Sequence, residues 1–360
     1  MAAVIPAEER IASRLDPRAQ LGSLWRHPIL RAALKAALTV LAATTITFTL
    51  IRLLPGNPID LRIEELTRDG SVSYESAREQ VSALYAIGLD EPLPQQYATY
   101  LWNILHGDLG TSFLSRGVPV MGIILAVLPW TLFAVGTGLL LSFVVGIGLG
   151  LVAAYKRGSF FDQAVSTIGS IISSVPNYLI AILIVLVLGV QLRWVPITQM
   201  RGAFSPGIQP GFSLEFIGDV LFHAALPISV FFLTQIGHWI LSMRNATLAS
   251  LEDDHVLAAR ARGLSDRRIT TAYVGRNAVL PLVTQLAISV GFIVGGAVII
   301  EQIFVYQGVG QRLVRAVAQR DYPVMQGILL LVTISVVVAN LVADLLYSRL
   351  DPRIGRAGDA

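Results

Sequence analysis

The sequence predicts an all-α integral membrane protein with six transmembrane helices, both termini cytoplasmic and a large outer loop between the first two spans. Three observations predict it. Of the 360 residues, 54% are apolar and 14% charged, with a mean hydropathy of +0.65; a soluble domain carries about a quarter charged residues. Six segments hold the roughly twenty apolar residues that cross a bilayer. The loops between them alternate in charge, as orientation signals do.

The elements follow in order. Residues 1–32 form a cytoplasmic extension with Arg10, Arg14, Arg18 and Arg26. It has no apolar core, so it is not read as a cleavable signal, and the first apolar run is expected to be an uncleaved anchor. The spans are Ala33–Leu54, Leu128–Ala154, Val165–Val190, Val220–Leu241, Leu282–Ile303 and Val324–Leu346. Each is expected to be a helix, because lipid offers the backbone no hydrogen-bond partner. Residues 33–125 comprise the first span and an acidic outer loop, and Ser73–Gly88 within that loop has helical periodicity. Residues 126–354 form the five-span core, and 355–360 a short tail. Tyr155-Lys156-Arg157, the segment 243–281 and the C-terminal Arg349, Arg353 and Arg356 are basic, which places them in the cytoplasm. Arg312, Arg315 and Arg320 are a misfit, being basic on the predicted outer side.

Several chemistries are excluded as expectations. There is no cysteine, so disulfides and thiolate sites are absent. The five histidines show no ligand spacing, and neither lysine stands in a Gly-Lys-Ser/Thr phosphate loop, so no metal and no nucleotide cofactor is expected in this chain. A net charge of +3 is too small to suggest nucleic acid. The span centres carry neutral polar groups, Gln235, His238, Gln285 and Asn340, in place of the acids of a proton-coupled carrier. These four either line a polar path or tie helices together, and His238 reads as a satisfied bundle histidine. Gly291 and Gly295, with Gly296 beside them, offer a small-residue face for close helix packing.

One loop stands out. Leu257, Ala258, Ala259, Arg260 and Arg262 are helix-forming. Gly263 suits the helix end. After Leu264, Ser265 and Asp266 suit a new start with an acidic first turn. Pro281 fits the first turn of the next span. The loop therefore reads as a short surface helix, a break, a second helix and then a span. Ala258 and Ala259 allow a close partner, and the arginines can pair with its acids. The plainer reading is an orientation signal facing lipid headgroups.

This loop resembles the EAA loop of permease subunits in ATP-binding-cassette importers. Ala258, Ala259 and Gly263 match its Ala-Ala-xxx-Gly part, and Leu257 stands at the motif's Glu position. The longer interval to Pro281, with GLSDRR and RNAVLP, resembles the dipeptide/oligopeptide/nickel branch. LLPGNP (53–58), GLDEPLPQQY (88–97), GDLGTSF (107–113), GGAVIIEQIF (295–304), GVGQRL (308–313), RDYPVMQG (320–327) and DLLYSRLDPRI (344–354) follow in the order of that branch. The resemblance implies a type I importer fold in a bacterial cytoplasmic membrane, with 257–266 and Pro281 forming an ATPase-coupling segment. It implies a non-catalytic subunit, half of a pore, with a homologous second permease, two ATPases that bind ATP and Mg, an extracytoplasmic binding protein and a peptide substrate. The outer loop would serve as a docking surface for that binding protein. Nickel or another small solute is the alternative within the same architecture. An ATP-independent carrier and a membrane scaffold are the other classes.

Overall fold

The computed structural model describes residues 28–53, 63–64, 66–68, 72–85, 92–115 and 117–350. Most of the N-terminal extension, LLPGNP apart from Leu53, GLDE and the last ten residues lie outside this set. The described chain is helical: α1 (Pro28–Leu53), α2 (Tyr74–Tyr85), α3 (Leu93–Leu105), α4 (Val120–Tyr155), α5 (Phe160–Ser174), α6 (Asn177–Ile184, continued by a π-helix Val185–Gln191), α7 (Leu214–Leu251), α8 (Asp254–Ala261), α9 (Asp266–Arg268, continued by a π-helix Ile269–Gly275), α10 (Arg276–Gly291), α11 (Ile293–Gly296), α12 (Val298–Phe304), α13 (Val309–Ala318) and α14 (Tyr322–Leu350). Four helices contain stretches long and apolar enough to cross a membrane: Leu30–Ile51, Val120–Tyr155, Leu214–Leu251 and Tyr322–Ala343. The bent pair α5–α6 with its π continuation makes up to five.

The third predicted span is not one straight helix. It bends by 97° between Ser174 and Asn177. Pro176 is the cause: it donates no backbone hydrogen bond, and its ring pushes Val175 into the extended region, at φ −89 and ψ 124. The segment predicted as Leu282–Ile303 is also interrupted, at Phe292 and Ala297, both with ψ near zero. The predicted second and fourth spans are too short. α4 has 36 residues and α7 has 38, so each is about 55 Å long, well beyond a hydrocarbon layer of about 30 Å. An apolar window finds only the part of a helix that meets lipid.

The core is the pairing of α4 with α7. Ala134, Gly138, Ser142, Gly146, Gly150 and Ala154 recur every fourth residue along α4, and all are buried. Such a stripe lets two backbones approach. A Cβ at Gly138 would fall 2.6 Å from Phe231 Cβ, at Gly146 2.5 Å from Trp239 Cβ, and at Gly150 2.5 Å from the Ile240 carbonyl oxygen. Partner numbers rise together, so the two helices run parallel and start at the same end. Phe143 and the fully buried Trp239 meet edge to face, with centroids 5.0 Å apart.

α5 runs antiparallel to α7, with Gly169 against Gly237. α10 runs antiparallel to α14: a Cβ at Gly291 would fall 2.1 Å from Ala339 Cβ, and one at Gly295 would fall 3.1 Å from Val332 Cγ1. The small-residue face expected at Gly291 and Gly295 is therefore a packing face. Gly296 ends α11. α1 leans on α14 and exposes Leu38 and Leu50 at 55% and 60%, as a lipid-facing helix does. Between α1 and α4 the helix expected within Ser73–Gly88 forms as α2, whose Ala77 and Val81 bury against Ile63 and Phe113.

Two glycines of α4 separate packing from mere composition. A Cβ at Gly148 meets nothing within 4 Å, whereas one at Gly150 meets the α7 backbone. Gly150→Ala is therefore expected to lower stability by about 1–3 kcal/mol, and Gly148→Ala to leave it unchanged. Thermal unfolding midpoints of the two purified variants in detergent test this; equal midpoints would contradict it.

Candidate functional site

At the end of the bundle where α7 stops, α8 lies across the surface. Its C-terminus is closed by a Schellman turn. Gly263 sits at φ +71, its N–H donates to Arg260 O at 2.9 Å, and Leu264 N–H donates to Ala259 O at 3.3 Å. Nothing lies within 4 Å of a Cβ built there, so the glycine is required for its left-handed backbone and not for space.

α8 has two faces. Val256 and Ala259 are buried against Ile269 and Val274, with Leu251, Leu264 and Tyr273 packed around them. Leu257, Ala258, Arg260, Arg262, Gly263, Ser265 and Asp266 are exposed, Leu257 at 69%. Ala259 is thus removed from the partner-facing set expected of it. Its small side chain serves close packing, but against this chain's own π-helix.

Two further expectations are corrected. Ser265 occupies the helix-start position by backbone angle, but its side chain caps nothing. Pro281 is not in a first turn. Asp266 through Gly291 form one continuous run, α9, the π-helix and α10, and Pro281 lies inside α10. The expected break at Gly263 is present, and from Asp266 a continuous helical run leads from the α8 core into the bundle, with no new helix start at Pro281.

The same end is clamped by a pair that the sequence reading did not single out. Arg244 of α7 grips Asp162 of α5 with both Nε and Nη2, the latter at 2.9 Å. Asp162 also accepts from Gly158 N–H at 3.0 Å and from Ser166 Oγ at 3.3 Å. Its carboxylate is 4% exposed in the pair. The partners are 82 positions apart, so no local spacing reveals them.

At the opposite end the family-like motifs lock together. Glu301 of α12 is fully buried and accepts from Thr131 Oγ1 at 2.6 Å and from Gln311 N–H at 3.1 Å. Thr131 in turn accepts from Val309 N–H at 2.8 Å. Asp321, also fully buried, accepts from Ser112 Oγ and from Phe113 N–H at 3.1 Å. Thus GGAVIIEQIF binds GVGQRL, and RDYPVMQG binds GDLGTSF. Beside them, burial and then the neighbouring Glu301 push the Tyr306 phenol well above its ordinary pKa. The burial of Glu301 depends on contacts across the fold, so nothing in its local sequence reveals it.

Of the four neutral polar residues, Gln235 lines a cavity within the bundle. That cavity, about 260 Å³, is lined by Val135, Leu139, Asn177, Phe231, Thr234, Gln235, Ser289, Phe292 and Ile293. Asn177 stands at the Pro176 bend. His238, Gln285 and Asn340 are exposed on the bundle surface. His238 has no hydrogen bond among the described residues and lies edge-on to Trp239, so it is not the satisfied histidine expected. The buried histidine is His223, whose Nδ1 lies 2.9 Å from Asp219 O.

Arg244→Ala would leave a buried carboxylate without its cation. The cost expected is about 2–3 kcal/mol, reduced from the fully buried case because Arg244 is partly exposed. The double change Asp162→Asn with Arg244→Gln should recover part of it. Thermal midpoints of the three proteins check this; an Arg244→Ala protein as stable as the parent would contradict it.

Residues 146–356 match the family described as binding-protein-dependent transport system inner membrane component. The chain is 35% identical to the di/tripeptide transport system permease protein DppB of Pseudomonas aeruginosa over 328 residues, covering 88% of this chain and 95% of that one. It is 32% identical to the oligopeptide transport system permease protein AppB of Bacillus subtilis over 327 residues, covering 91% and 98%. With that match across more than half its length, the chain belongs to the family of inner membrane components of binding-protein-dependent transport systems.

Proposed function

We propose that this chain is one half of the membrane pore of an ATP-driven peptide importer, and that the exposed face of α8 is where a separate ATPase drives it. The family match and the peptide transport named for both relatives support the cargo. The observation that carries the coupling role is the two-faced α8: its back is fixed to the helical run that becomes α10, and its front presents Leu257, Ala258 and Arg260.

The arrangement supports a six-span reading in a type I importer fold, with α5–α6 as the third span and α10–α12 as the fifth. Both termini, α8 and the Arg244 clamp would then be cytoplasmic. Two ATPases, binding ATP and Mg, would close on each other and displace α8. Through Val256 and Ala259 the push would reach the π-helix and α10. Through Leu251 it would reach α7, which carries α4 by the glycine stripe and α5 by the Arg244–Asp162 pair. ATP would thereby favour one of two bundle states, and a binding protein on the outer loop would bias the same equilibrium.

A homologous second permease would complete the path. That accounts for His238, Gln285 and Asn340 being exposed in a single chain, since residues lining a shared pore face the missing half. Gln235, with Asn177, Thr234 and Ser289, would supply neutral donors and acceptors within the bundle for a polar cargo.

The test separates the two faces of α8 in the assembly reconstituted with its ATPases and binding protein. Leu257→Asp with Arg260→Glu is expected to abolish peptide uptake while the thermal midpoint stays within about 1 °C, because surface changes cost little stability. Ala259→Glu is expected to lower the midpoint, because it buries a charge. Normal uptake in the Leu257/Arg260 variant would reject the coupling role.

A further inference from the structure

Two of the three misfit arginines, Arg312 and Arg315, share a cavity with Arg201. At the end of the bundle opposite α8, this cavity of about 470 Å³ opens between the start of α4, the Arg201–Gly202 turn and the segment from Val305 to Arg315. Arg201, Arg312 and Arg315 line it, with Gln307 and Gln311, and no carboxylate of the described residues does. None of the three arginines forms an ion pair with a described residue. Nε of Arg312 is shielded from solvent and has no acceptor among the described residues. A desolvated guanidinium N–H without an acceptor is costly, and the exposed Arg201 and Arg315 add two like charges to the same cavity.

The cavity wall is built, not incidental. Gly202 N–H donates to Val305 O at 3.0 Å, which sets Arg201 beside α13. Val305 is held at φ 54, a left-handed conformation that a β-branched residue rarely adopts and that clusters at functional sites. Gly308 has no room for a Cβ, which would fall 2.1 Å from Glu301 Oε1. Glu301 is committed beneath the wall to Thr131 and the Gln311 N–H, so it pins α13 without occupying the cavity.

We infer that this cavity is an entry site for the C-terminal carboxylate of the transported peptide. The inference rests on the peptide reading above. Guanidinium forks match a carboxylate by paired hydrogen bonds. The volume lies in the range of small-molecule sites. A linear peptide carries this carboxylate whatever its side chains, so a cluster of cations without an acid would grip that end alone and leave the sequence unread. The cavity lies at the end away from α8, where a peptide released by a binding protein first meets the pore.

The test is an equilibrium titration of the complete assembly in nanodiscs, without binding protein, using tri-alanine and tri-alanine amide. The parent protein should bind the free acid at least about tenfold more tightly than the amide, because losing a charge-assisted pair costs more than one factor of ten. Arg312→Gln with Arg315→Gln should abolish that difference at an unchanged thermal midpoint, and the corresponding lysine pair should retain part of it. Equal binding of both peptides by the parent, or a difference that survives in the glutamine variant, would overturn the site. Uptake of tri-alanine by the assembly with its binding protein is measured in parallel. Uptake without carboxylate-dependent binding sinks the cavity alone, whereas no peptide uptake at all sinks the peptide reading itself.

Discussion

The close parallel contact of α4 with α7 sets the frame on which the other helices hang. In lipid there is no hydrophobic gain from pairing two apolar helices, so association depends on packing. The stripe from Ala134 to Ala154 brings the backbones near enough that Gly138, Gly146 and Gly150 leave no space for a methyl group. Such a contact fixes axial position as well as distance, because Trp239 and Met243 fit only over their own glycines. Everything on α7 inherits that register: Arg244 meets Asp162, and Leu251 delivers the chain into α8.

From this frame the two ends differ in kind. At the α8 end, stability comes from a small apolar core and one saturated ion pair, both close to the surface. At the other end it comes from two buried acids, Glu301 and Asp321, each satisfied by hydroxyl and backbone donors. Buried acids that accept from fixed donors specify one arrangement more strictly than apolar contact does, because a partner lost there leaves a desolvated charge. The segments at the end away from α8 are thereby held in one shape. The continuous run from Asp266 to Gly291 joins the regimes.

Much of the fold was legible in the sequence, for a physical reason: a lipid-spanning helix must be apolar over about twenty residues, and composition alone records that. The end of α8 was equally legible, since only glycine sits easily at the φ of Gly263. The extent of α4 and α7 was not, because helix continues into polar surroundings once packing supports it. Pro176 carried a visible signal for the bend, and the apolar run around it masked that signal. Pro281 misled in the opposite sense, since a proline can open a helix or sit within one, and the sequence around it does not say which. The face of Ala259, the exposure of His238 and the pairing of Asp162 with Arg244 depend on which helix lies alongside, and a single sequence does not encode neighbours locally.

Cross-linking tests the proposed contact between the front of α8 and an ATPase. The chain has no cysteine, so a single one can be placed at Leu257, on the exposed face, or at Val256, fully buried behind it. A maleimide–succinimide cross-linker applied to the purified assembly should join Leu257→Cys to a lysine of the ATPase, with a yield that changes on adding ATP and vanadate, and should leave Val256→Cys unlinked. An assembly that takes up peptide at the normal rate, yet gives no adduct from Leu257→Cys in any nucleotide state, would contradict the account.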